Sequence, residues 1–441
     1  MRGDITPSKP EGGFNPFETG VFIERRSQPR GGDSVAAPGP TAGSKADPKD
    51  VELGRKHLNE LLLLCSEQDA SDLHLSQGNE LYMRVEGALH THDNGGPLTG
   101  DQMERIVEAL LDGHSRQPLH AKGSVDVAVT GPDGSRFRYN IFREKGQLAV
   151  ALRRLEDRFR TLQELGLPES LYRLCTLTDG LVIMAGPTGS GKSTTLATLL
   201  HRINETRNVH IITVEDPIEY VHKPARSLVN QRELGLDANS FYDALVAALR
   251  QDPDVILVGE MRDVATVRTA MAAAQTGHLV FTTLHAGDCV GSIERLVAAF
   301  PSHEQDGARR QLALVLRAVI CQHLLLADGQ AGQEVRRQRN GNAAATCRPD
   351  MPAKPRPPRV LASEVLMVTP AVSNLIANGN TSQVYSAIET GSKQGMQSLE
   401  QDLARLWSKS YISEATAMAL SRSPHNLRDR ARLHGTAHRF K

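Results

Sequence analysis

Residues 186–193 read Gly-Pro-Thr-Gly-Ser-Gly-Lys-Ser and follow the apolar run Leu181-Val182-Ile183-Met184-Ala185. This is the G-x-x-x-x-G-K-[ST] pattern, placed at a strand-to-helix junction. Gly186, Gly189 and Gly191 let the backbone turn tightly enough to aim consecutive N–H groups at one anion. A helix opening at Lys192 adds the positive end of its dipole. Lys192 is placed to reach β- and γ-phosphates, and the Ser193 hydroxyl to hold a Mg²⁺. Pro187, Thr188, Ser190 and Thr194 complete the expected contact segment. The pattern predicts a nucleoside-triphosphate site.

Three further segments offer chemistry at the ends of apolar runs. Thr213-Val214-Glu215-Asp216-Pro217-Ile218-Glu219-Tyr220 is an acidic turn, with Pro217 opposing further ladder pairing. Beside triphosphate and Mg²⁺, Glu215, Asp216 and Glu219 could hold the metal's waters or orient the attacking water. Asp254-Val255-Ile256-Leu257-Val258-Gly259-Glu260 ends a hydrophobic strand in an acid, which makes Glu260 a candidate partner of the metal or of the water. Thr276–Ala286 carries His278 at its start and His285 at its end. His285 is placed to sense the γ-phosphate by hydrogen bonding, whereas His278 reads as structural. Neither histidine finds the paired Cys or His that a zinc site needs.

The elements that must position these residues follow from the hydrophobic pattern. Leu181–Ala185, His210–Val214, Val255–Val258 and Leu279–Thr283 are short Val/Ile/Leu-rich runs alternating with helical stretches. They predict an α/β core with a parallel sheet buried on both faces, over residues 166–330. Its functional residues should gather at the strands' carboxyl ends. Residues 51–165 read as α+β: a helix at Lys56–Cys65, then strands at Asp72–Ser76, Leu81–Val85, Ser124–Val129, Arg136–Phe142 and Leu148–Leu155, with a turn at Glu86-Gly87. Residues 1–50, rich in Pro and Gly, are expected to be a flexible leader. Residues 328–359, with Arg336, Arg337, Arg339 and prolines from Pro352 to Pro358, read as a basic insertion between two strands. A strand at Val360–Leu366 and helices to about Arg432 follow, then a tail over 433–441.

Composition narrows the class. The 441 residues exceed one ordinary core, and the 51 basic and 51 acidic side chains cancel. With aromatics at only 4%, the chain lacks the stacking platforms of single-strand binders, so no nucleic-acid partner is expected. No apolar run approaches a membrane span, and no hydrophobic stretch follows the N-terminus. The five scattered cysteines suit a reducing compartment. A cytoplasmic protein is expected.

In this order the boxes resemble one family, the secretion and type IV pilus ATPases, and within it the pilus-retraction (PilT/PilU) branch. Leu228–Glu233, Gln383–Gly391 and Gly395–Leu399 extend the resemblance, which covers roughly residues 55–425. It implies a RecA-like P-loop NTPase core, a PAS-like N-terminal domain and a helical C-terminal region. It also implies a hexameric, Mg²⁺-dependent ATPase that drives pilus retraction and twitching motility. The motor would work through an inner-membrane platform protein, at the inner face of that membrane, with a paralogous ATPase as a further partner. Glu219 falls on the family's catalytic carboxylate, Glu260 on its metal-side strand and His285 on its histidine box. Arg138 and Arg153 match its arginine fingers, which would stabilise the transferring phosphoryl. The family's Ala-Ile-Arg-x-Leu-Ile-Arg-like segment reads Ala371-Val372-Ser373-Asn374-Leu375-Ile376-Ala377, without either arginine. The paired-cysteine loop of many assembly-type relatives is missing too. A motor of a conjugative or effector-secretion apparatus and a weakly hydrolysing regulatory subunit of a motor ring are the alternatives.

Overall fold

The computed structural model describes residues 48–85, 88–92, 95–111, 119, 123–155, 158–331 and 359–438. The leader up to residue 47, the Glu86-Gly87 turn and the basic stretch 332–358 lie outside them.

The first layer is an antiparallel sheet carrying two helices on one face. α1 (Pro48–Glu67) and α2 (Gly100–Leu110) pack Leu58, Leu61, Leu62, Met103 and Ile106 onto Leu73, Leu75, Phe137, Ile141 and Leu152. Those sheet residues sit at alternate positions of their strands, the period-two pattern of a half-buried sheet. The strands are β1 (Ala70–Ser76), β2 (Leu81–Val85), β3 (Ala88–His92), β4 (Ser124–Thr130), β5 (Arg136–Glu144) and β6 (Gln147–Arg154), in the order β3-β2-β1-β6-β5-β4. α1 begins at Pro48, before the Lys56 start that its apolar spacing suggests.

A single helical turn, α3 (Leu162–Leu165), leads into the second layer. There β7 (Gly180–Ala185), β8 (His210–Glu215), β9 (Leu228–Glu233), β10 (Val255–Val258), β11 (Leu279–Leu284), β12 (Leu316–Leu326) and β13 (Arg359–Met367) form one sheet. Its order is β13-β12-β7-β11-β10-β8-β9, parallel throughout except for the β12–β13 hairpin. Every residue of β7, β10 and β11 is buried, as expected of strands with helices on both faces. One face packs against α4 (Lys192–Thr206). The other packs against α5 (Phe241–Ala248), α6 (Val264–Gln275), α7 (Cys289–Ala298), α8 (Gln305–Val315), α9 (Pro370–Ala377) and α10 (Ser382–Thr390). A third cluster joins Ala362 to α11 (Leu399–Ser408), α12 (Glu414–Leu420) and α13 (Pro424–His438). The α/β class and the helical C-terminal region are as expected, although α13 runs on to His438.

Three strands, β3, β9 and β12, carry no clear signal in the sequence; β3 (Ala-Leu-His-Thr-His) has a single aliphatic beyond its alanine. β9 is an edge strand with polar Asn230, Gln231 and Arg232, so it lacks an apolar run. β12 continues from α8 without a turn residue, and its long apolar stretch fits helix and strand equally well.

Candidate active site

The phosphate loop is built by close backbone approach at the end of β7. Gly186 has φ +141°, and a Cβ there would stand 2.4 Å from Gln322 O and 2.6 Å from Ser190 Oγ. Only glycine fits. Gly191, with φ +92°, caps α4 in the left-handed region. Lys192 is 8% exposed, and its Nζ donates to Gly186 O at 2.9 Å and Pro187 O at 3.0 Å. Burial pushes its pKa below the usual lysine value, opposed in part by the charges of Glu219 and Glu260. Gln322, on the neighbouring β12, also donates from Nε2 to Thr195 Oγ1 at 2.8 Å, fixing the first turn of α4.

A cleft of about 370 Å³ opens beside the loop. Thr188, Gly189, Lys192 and Ser193 form one wall; Glu215, Asp216, Glu219, Glu260 and His285 form the other. The acidic turn owes its shape to β9. Glu233 Oε2 accepts from Ile218 N at 3.1 Å, and Gln231 Oε1 from His222 N at 2.7 Å. Gln231 Nε2 donates back to Tyr220 O at 2.8 Å and to Glu215 Oε1 at 3.2 Å. Glu215 Oε1 also accepts from Thr213 Oγ1 at 2.6 Å, and burial pushes its carboxyl up despite these bonds. Asp216 and Glu219 remain exposed to the cleft. Tyr220 closes the turn onto α4 through Thr194 Oγ1 at 3.1 Å.

The other two strand ends bring the remaining groups together. Glu260, following β10, pairs with Arg262 and lies 3.9 Å from His285 Nε2. Burial and the nearby Lys192 charge lower the His285 pKa, while Glu260 opposes them. Thr283 Oγ1 donates to Gly259 O at 2.5 Å and Gly259 N to Val214 O at 2.8 Å, so β11, β10 and β8 are knitted at one level. His278, in contrast, faces Ala273 O at 2.9 Å through Nδ1, the structural place expected of it.

This arrangement fits a triphosphate and a hard divalent cation. Ser190 Oγ is buried in the loop without a hydrogen-bond partner, just ahead of the N-terminus of α4. Oxygen donors of Ser193 and Glu260 border the same space. Among the described residues no group of three His, Cys, Asp or Glu is arranged to hold a metal by itself. Mg²⁺ characteristically takes only one or two protein oxygens and completes its shell with phosphates and waters.

Arg138 and Arg153 are not brought to this cleft. They face each other in register on β5 and β6, and Arg153 Nε donates to Asp72 Oδ1 at 2.8 Å. Burial raises the Asp72 pKa, but the hydrogen bonds from Ser71 and Arg153 outweigh it and hold the carboxyl below its ordinary value.

The family model described as Type II/IV secretion system protein matches residues 49–415. The chain belongs to this family. It is 39% identical to the type IV pilus retraction ATPase PilT of Pseudomonas aeruginosa, over 84% of this chain and 99% of that protein. The crystal structure of the pilus retraction motor PilT with bound ADP superposes with a TM-score of 0.73, at 39% identity, covering 84% of this chain and 98% of that one. The ATPase DotB of Legionella pneumophila superposes with a TM-score of 0.67 at 25% identity, covering 83% and 95% of the two chains. Among the described residues no helix is long and apolar enough to cross a membrane.

Of the predicted site residues, the phosphate loop, the acidic turn, Glu260 and His285 converge in this secretion-family chain. Three residues that hold them, Gln231, Glu233 and Gln322, are not singled out by the sequence. Gln231 and Glu233 fall inside the Leu228–Glu233 segment that extends the family resemblance, and that was the available signal. Gln322 had none.

Proposed function

We propose that this chain is a Mg²⁺-dependent ATPase of a hexameric ring that drives type IV pilus retraction. One observation carries the reading: Lys192 and Ser193 face Glu219, Glu260 and His285 across a single cleft. The extent and level of the likeness to PilT supply the biological direction.

Lys192 neutralises charge on the phosphates, and the loop N–H groups orient them. Ser193 and Glu260 would hold Mg²⁺, partly through water, which would supply Lewis-acid charge to the transferring phosphoryl group. Glu219, exposed to the cleft on its braced turn, accepts a proton from the attacking water. His285 reports the terminal phosphate through a hydrogen bond. Arg138 and Arg153 add guanidinium charge when the PAS-like N-terminal domain and the core close around nucleotide. Cycles of this closure turn hydrolysis into movement against an inner-membrane platform protein. Work is done at the cytoplasmic face, alongside a paralogous ATPase.

Steady-state ATP hydrolysis by the wild type and Lys192→Ala tests the enzyme. The variant should lose turnover by about 10³-fold or more; equal rates would overturn the reading. A strain lacking the gene should fail to retract pili, and normal retraction would move the proposal to a secretion motor of the DotB kind.

A further inference from the structure

The loop bearing His285 is gripped by an ionic cluster that the proposed hydrolysis does not use. This loop joins β11 to α7, and its last residue, Asp288, caps α7 by accepting from Gly291 N at 2.6 Å. Arg422, between α12 and α13, brings Nη1 to 3.5 Å from Asp288 Oδ2. The same guanidinium pairs with Glu364 of β13 and places Nε 3.8 Å from Glu400 Oε1. It also lies over the Tyr385 ring, 4.8 Å from the centroid, while the Tyr385 hydroxyl donates to Asp288 Oδ1 at 3.1 Å. Glu364 takes the Cys289 N–H at 3.0 Å on its other oxygen. On the opposite side, β12 holds Ala286 O through Cys321 Sγ at 3.6 Å and Gly287 O through His323 Nε2 at 3.0 Å. Each residue from Ala286 to Cys289 is therefore anchored, and two of those anchors converge on one arginine.

We infer that Arg422 is a positioning residue for His285, holding the loop so that the imidazole stands beside Glu260. The inference rests on the ATPase reading above. Its physical basis is charge balance: Asp288, Glu364 and Glu400 converge on a single cation. The Glu364 and Glu400 side chains are 1% and 7% exposed, so water cannot take the place of the guanidinium. Without it, Asp288 faces like charge and loses its hold on β13, so the loop bearing His285 is left to its β12 contacts and to Arg295, whose Nη1 donates to His285 O at 2.8 Å. A shift of about 1 Å in a positioned group costs roughly 10²-fold in rate. The C-terminal helices thereby set the geometry of a residue in the nucleotide cleft.

Four measurements on the full chain test this. Arg422→Gln, polar but shorter and neutral, should lower kcat by about tenfold or more, with the Kd for a fluorescent ADP analogue within about twofold. Asp288→Asn, which keeps the helix cap and loses the charge, should lower kcat in the same direction. In a His285→Ala background Arg422→Gln should add no further loss, because both changes remove one interaction. Arg428→Ala, which breaks only an exposed pair with Glu414, should leave kcat unchanged. Wild-type kcat in both Arg422→Gln and Asp288→Asn overturns the inference. So does a loss confined to nucleotide affinity, or losses that multiply in the double variant. If Arg422→Gln does not fold, Asp288→Asn decides alone. Lys192→Ala, assayed in parallel, reports failure of the ATPase reading separately.

Discussion

Gln231→Leu removes three hydrogen bonds that brace the acidic turn, from a residue outside the chemistry. His222 N–H and Tyr220 C=O lose their 2.7 Å and 2.8 Å partners, and Glu215 loses one of its donors. His222 and Tyr220 are 6% and 8% exposed, so water replaces neither bond. A buried group left unsatisfied costs about 1–3 kcal/mol, so the His222 N–H alone loses at least about 1 kcal/mol. For a core of this size that lowers Tm by at least about 2 °C. The turn also carries Glu219, so kcat should fall by about tenfold or more as the turn relaxes. Differential scanning fluorimetry and a coupled ATPase assay read both effects. A Tm and a kcat indistinguishable from wild type would refute the claim that β9 shapes the site.

Gly186→Ala places a methyl group 2.4 Å from Gln322 O at φ +141° and should cost about 3 kcal/mol or more, abolishing binding of a fluorescent ADP analogue; retained binding would contradict it. Burial holds the His222 pKa down to about 4, against 6.5 when unperturbed. The unfolded chain therefore binds a proton that the folded chain refuses between these values. Stability is full above about pH 6.5 and falls as pH drops toward 4, by up to about 3 kcal/mol. His222→Phe should gain stability relative to wild type across that window, and parallel Tm–pH curves would exclude the effect. Ser373→Arg with Ala377→Arg restores the family's charges on α9, at the expense of the Ser373 Oγ bond to Ala313 O at 2.7 Å. This pair should alter retraction force while ATP turnover stays near wild type, and unchanged motility would count against it.

What could be read in advance divides along a physical line. β7, β10 and β11 are buried on both faces, so burial writes them as largely apolar runs, interrupted in β11 by Thr282 and Thr283. The phosphate loop and Glu260 are local motifs whose meaning depends on a few adjacent residues. β9 was hidden because an edge strand needs few aliphatics, and β12 because no breaker separates it from α8. Gln231, Gln322 and Arg422 act across long stretches of chain, through register and packing that no local pattern encodes. Arg138 and Arg153 show the converse. Their match to a motif was visible, yet the fold sets them side by side on a separate sheet.

The β12–β13 hairpin determines how the basic insertion is attached. Leu326 and Arg359 are ladder partners, so residues 327–358 leave and re-enter the sheet at adjoining positions. The first of them are rooted. Asp328 accepts from Ser413 N at 2.7 Å, Gly329 N donates to Tyr411 O at 3.1 Å and Ala331 N to Ser410 O at 3.0 Å. Changes of length made between 332 and 358 should therefore spare the residues that form the Leu326–Arg359 pair and these three bonds. Closing a loop one-eighth as long changes the closure entropy by only about 2 kcal/mol, in favour of the folded state. The boundary at Ala331 marks where such engineering must stop, because beyond it the cut would loosen the strap between the sheet and the C-terminal helices.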